Sequence, residues 1–124
     1  MLNVRAAIFD ILAILLFALL ARIAHNTPEM PLSVLGWLET SWPFLCGTLL
    51  GWGVLVLIRR SPDAQRFLPG AVVWVFSVAT GLTLWGVRHG AFPHWSFIVV
   101  ATVMSGLLLF GWRGIAGVVA RRAR

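Results

Sequence analysis

The stretch AAIFDILAILLFALLARIA, residues 6–24, is apolar over almost its whole length and carries a single carboxylate, Asp10. As an α-helix its nineteen residues rise about 28 Å, close to the roughly 30 Å hydrocarbon core of a bilayer. A secretory leader has a similar apolar centre. Here, however, Asp10 interrupts that centre, and Arg22 and His25 stand where a small-residue cleavage site belongs, so the segment reads as a retained helix.

Three further stretches follow the same pattern. The second span runs from about Trp42 to Ile58, stops at Arg59 and Arg60, and carries Pro43 near its start, where the first turn has no use for an amide N–H. The third runs from about Pro69 to Val87 and closes at Arg88, His89 and Gly90. The fourth begins near Trp95, and its strongly apolar part ends at Trp112 before Arg113; residues 114–120 are apolar enough to prolong it.

Composition agrees. The chain has 124 residues, 60% of them hydrophobic and only 11% charged, with a mean hydropathy of +0.91, far from the balance of a soluble domain. Four spans of about 20 residues use roughly two thirds of such a chain, which leaves room for one bundle and no second domain. The net charge of +6 comes from arginines placed beside apolar spans, where they set topology and meet lipid headgroups. Membrane lipids are therefore the expected partners, and nucleic acid is not.

Arginine placement also predicts orientation. Arg5, Arg59, Arg60, Arg66, Arg113, Arg121, Arg122 and Arg124 fall on one side and only Arg22 and Arg88 on the other. Eight against two puts both termini and the middle loop in the cytoplasm. The expected fold is all-α: an antiparallel four-helix bundle, multi-pass in the plasma membrane. In the first outer loop, residues 25–41, Leu35, Trp37 and Leu38 predict one or two helical turns that lie on the membrane surface or fold back as a lid.

The residues that invite chemistry are few. Asp10 sits about 6 Å into the hydrocarbon if Ala6 marks the edge, a depth at which a carboxylate is paired, hydrated or used. Arg113 stands near the same depth, so a buried Asp10–Arg113 ion pair is expected, either as a structural clamp or as a proton or cation site. At the other side Arg22, His25 and Arg88 form a candidate basic outer mouth, with headgroup contact as the plainer role. The histidines lack the spacing of a preformed two-histidine metal site, and the lone Cys46 excludes a disulfide within the chain. No metal or cofactor is expected.

A polar thread of Thr48, Ser77, Thr80 and Thr83, with Thr102 and Ser105 on the fourth span, either lines a solute path or returns hydrogen bonds to the helices. Gly47 and Gly51, Ser77 and Gly81, and Thr102 and Gly106 repeat the small-x-x-x-small spacing of close helix packing. Trp37, Trp42, Trp95 and Trp112 fit an interfacial aromatic belt, while Trp52, Trp74 and Trp85 lie further along their spans. A faint echo links Leu49-Leu50-Gly51-Trp52 to Leu109-Phe110-Gly111-Trp112, as a duplicated hairpin would produce. No nucleophile stands beside a placed base, so an enzyme is not expected.

Asp10, Phe17 and Ala21-Arg22-Ile23-Ala24-His25, then Trp42-Pro43-Phe44, Gly47 and Gly51-Trp52, then Gly70 to Trp74, Thr80-Gly81, Arg88, Phe97 and Gly111-Trp112-Arg113 make a pattern. Over nearly the whole chain it resembles the bacterial and archaeal membrane family called domain of unknown function 3054, found commonly in actinobacteria and haloarchaea. The resemblance implies a small multi-pass membrane protein and no established activity, cofactor or partner. Two functions remain open at this point. One is a small transporter or channel-like protein for protons or small ions, and the alternative is a non-catalytic accessory or scaffold subunit, in a homo-oligomer or a larger membrane complex.

Overall fold

In the computed structural model, which describes residues 4–24, 33–59, 66–90 and 95–122, the apolar stretches form four α-helices. They are α1 (Val4–Ala24), α2 (Val34–Leu57), α3 (Phe67–His89) and α4 (Trp95–Arg122). All four are long and apolar enough to cross a membrane.

The main departure from expectation is the start of α2. Ser33 caps the helix in an extended conformation, its hydroxyl accepting from the Gly36 amide at 2.9 Å, which supplies one of the partners that a helix N-terminus lacks. Residues 34–41 are thus the first turns of α2 and form neither a surface helix nor a lid. Trp37 ties them to the bundle by donating its indole N–H to the Leu15 carbonyl of α1 at 2.8 Å. Consequently Pro43 lies inside α2 and not in its first turn. It removes the N–H that would reach the Glu39 carbonyl. At the far end α4 runs on through residues 113–122.

Each helix packs antiparallel against its chain neighbours, and α1 closes the ring against α4. Small residues allow the closest approach, between α2 and α3. A Cβ on Gly47 would overlap the Phe76 carbonyl oxygen and come within 2.7 Å of the Ser77 Cα, and one on Gly51 would meet the Val73 Cα at 3.0 Å. The G-x-x-x-G is therefore spent inside the bundle. The ring of Phe44 fills the centre, edge-on to Phe17 at 4.9 Å and to Phe97 at 6.2 Å, with Gly81 leaving room for it on α3. Gly90 ends α3 in the left-handed region (φ 66°), whereas just past the end of α2 it is Arg59 that takes φ 59°, a conformation that costs a side-chain-bearing residue about 1–2 kcal/mol.

The outside of the ring is as apolar as the inside. Val4, Leu12, Leu49, Leu57, Val87 and Ile115 are all at least half exposed. A soluble monomer rarely shows apolar surface of that extent, and four such helices together mark a membrane protein.

Candidate functional site

Near one end of the ring, side chains from two helices converge on a carboxylate carried by a third, and the fourth helix makes room for them. Asp10 of α1 and Arg113 of α4 are fully buried and form a two-pronged ion pair: Nη1 to Oδ1 at 2.7 Å and Nη2 to Oδ2 at 2.9 Å. Two indoles complete the set. Trp52 of α2 donates to Oδ2 and Trp112 of α4 to Oδ1, each at 2.9 Å. An ionised carboxylate offers about four lone-pair sites, and all four face a donor.

Local packing holds this geometry. Arg113 Nη1 also donates to the Leu109 carbonyl at 3.0 Å, and its guanidinium carbon lies 4.4 Å from the centroid of the neighbouring Trp112 ring. Phe9 stacks on Trp112 at 5.2 Å, fixing the indole from the α1 side. From α3, Gly70 supplies the space, because a Cβ there would sit 2.6 Å from Arg113 Nε. The paired charges are thus enclosed within the ring without an unsatisfied carboxylate oxygen. Fork-to-fork arginine pairs and charge-assisted hydrogen bonds are the strongest available for this purpose.

At the opposite end the arrangement is looser. Arg22 is almost buried; its Nε donates to Thr40 Oγ1 at 2.7 Å, and Nη2 lies 4.0 Å from Glu39 Oε2. Arg88 Nη2 approaches Glu39 Oε1 at 3.6 Å, with both side chains 44% exposed, and its guanidinium sits 5.7 Å from the Trp42 ring centroid. Glu39 thus stands between Arg22 and Arg88 and offsets one of their two charges. His25, the third member of the expected basic outer mouth, lies outside the described residues. Among the described residues no three metal-ligating side chains come together.

The polar thread does not form one path. Thr48 and Ser77 are fully buried with their hydroxyl oxygens 2.7 Å apart. Thr48 gives its only hydrogen to the Phe44 carbonyl at 2.9 Å, so Ser77 is the donor between them. Thr80 is half-buried and Thr83 is exposed on the outside of α3. Three-residue steps on a helix of 3.6 residues per turn fall about 60° behind each time, and two steps carry Thr83 out of the interior. On α4, Ser105 turns back to the Ala101 carbonyl of its own helix.

An aromatic-belt reading of Trp112 and a place further along its span for Trp52 do not mark either indole as a carboxylate partner, and Gly70, although part of the family pattern, carries no sequence signal of its contact with Arg113. One signal did point to the indoles: the echo between Gly51-Trp52 and Gly111-Trp112. The two tryptophans occupy matching places on α2 and α4, helices that run in the same direction, and both reach Asp10.

A family model described as "Protein of unknown function (DUF3054)" matches residues 7–116, most of the chain, and the chain belongs to that family. The matched region contains all four members of the cluster. No curated protein and no solved structure matches the chain.

Proposed function

We propose that this member of the DUF3054 family is a non-catalytic, multi-pass protein of the plasma membrane that serves as an accessory or scaffold subunit. In this reading the Asp10–Arg113 pair is a clamp that holds the bundle shut. Both termini and the α2–α3 connection face the cytoplasm, on the side richer in arginine.

One observation carries the reading: the saturation of Asp10. A carboxylate that binds a transported cation or relays a proton needs an open lone pair or a water contact, and here the four lone-pair sites face Arg113, Trp52 and Trp112. The small-transporter reading requires at least one of those donors to leave during each cycle, exposing a buried charge at a cost of several kcal/mol. Within the ring, the buried Thr48–Ser77 pair spends its hydrogen bonds on itself and on Phe44.

Reconstitution in liposomes tests the choice. The accessory reading expects proton and small-ion flux no greater than in protein-free vesicles, together with reproducible co-purification of one partner or a second copy from native membranes. Flux that disappears in Asp10→Asn while the variant stays folded would favour transport and overturn the proposal.

A further inference from the structure

The Asp10 end of the bundle carries a second feature, on its outer surface. Between the start of α3 and the last turns of α4 lies a groove of about 490 Å³, with Arg66 and Phe67 on one wall and Ala116, Gly117, Ala120 and Arg121 on the other. Small residues on α4 open it, since a Cβ on Gly117 would meet no atom within 4 Å. The phenyl ring of Phe67 leans on Phe110 at 6.1 Å and gives the groove an apolar side. Arg113 reaches its floor from inside, but both of its terminal nitrogens are bound to Asp10.

Charge defines what fits. Arg66 and Arg121 are exposed, and neither is paired with a described carboxylate. Arg5, Arg59 and Arg122 are exposed at the same end. Of the described carboxylates, Asp10 is buried and saturated, and Glu39 is at the other end between two arginines. Two exposed guanidinium groups on the rim and an apolar wall suit a partner that brings negative charge and apolar length. We propose that this groove is a binding site for one anionic phospholipid, its phosphate between Arg66 and Arg121 and an acyl chain laid along Phe67, Ala116 and Gly117. The inference rests on the membrane-embedded reading of the four helices and not on the accessory role.

Native mass spectrometry of the full chain released from nanodiscs tests it, with phosphatidylglycerol in a phosphatidylcholine background as the probe. The wild type should retain one phosphatidylglycerol after stripping of bulk lipid. An arginine near an anionic lipid contributes about fivefold in affinity, so R66Q/R121Q should bind roughly twenty-five-fold more weakly. Gly117→Leu, which fills the groove without changing charge, should also lose the lipid, and R5Q/R122Q should keep it. Retention by R66Q/R121Q, or equal loss in R5Q/R122Q, would overturn the site. Full displacement by glycerol phosphate would reduce it to an anion site and overturn the lipid assignment, as would occupation of the groove by a second copy or an acidic peptide instead of lipid. Size-exclusion profiles of each variant establish that lost lipid does not reflect lost fold.

Discussion

The two ends of the bundle use the same kind of ion pair to opposite effect. At one end Asp10 and Arg113 are shut off from solvent, locked prong to prong and completed by two indoles. At the other, Glu39 lies 3.6–4.0 Å from two arginines and remains 44% exposed. A charge pair fixes a structure only when burial makes its loss expensive and enough donors make its burial tolerable. Where water or headgroups can take over, the same chemistry orients side chains and contributes little. The first end is therefore an anchor and the second an adjustable rim.

Substitutions should separate the two ends, from large effects to small. Arg113→Met leaves Asp10 buried without its countercharge and should cost about 3–5 kcal/mol in unfolding from mixed micelles. Trp52→Phe keeps an aromatic ring, though a smaller one, and withdraws a donor from a charged oxygen; at least about 1.5–3 kcal/mol is expected, and an effect near zero would mean that the indole is a bystander. Gly70→Ala pushes a methyl group against the guanidinium and should cost about 1–3 kcal/mol by overpacking, measured by the same unfolding transition. Glu39→Gln, at the rim, should change stability by no more than about 1 kcal/mol. If Glu39→Gln proved as damaging as Arg113→Met, the distinction between the ends would collapse.

Much of the anchor was legible in the sequence because depth is a simple consequence of helix rise. Counting from Ala6 set Asp10 at the level of Arg113, and the two meet. The glycine spacing of Gly47 and Gly51 likewise marked a close contact, because nothing larger fits against the α3 backbone. The indole partners were hidden by an ambiguity of tryptophan itself. A tryptophan near a span end satisfies its N–H equally well at an interface or on a buried carboxylate, and only the neighbouring helix decides which. The early start of α2 was obscured for a similar reason: Leu35, Trp37 and Leu38 suit a surface helix as well as a buried one, and the choice falls to Trp37 finding the Leu15 carbonyl. Thr83 departs from the polar thread because residues spaced by three wind around a helix of 3.6 residues per turn and do not keep to one face.

The central claim, that Asp10 and Arg113 act as one closed unit, is tested most directly by a double-mutant cycle with Asp10→Leu and Arg113→Met, read by equilibrium unfolding. Each single change strands a buried charge, while the double change strands none and leaves two indole N–H groups unpaired. The predicted result is a double variant destabilised by several kcal/mol less than the sum of the single variants. Simple additivity, with the two losses combining in full, would contradict it.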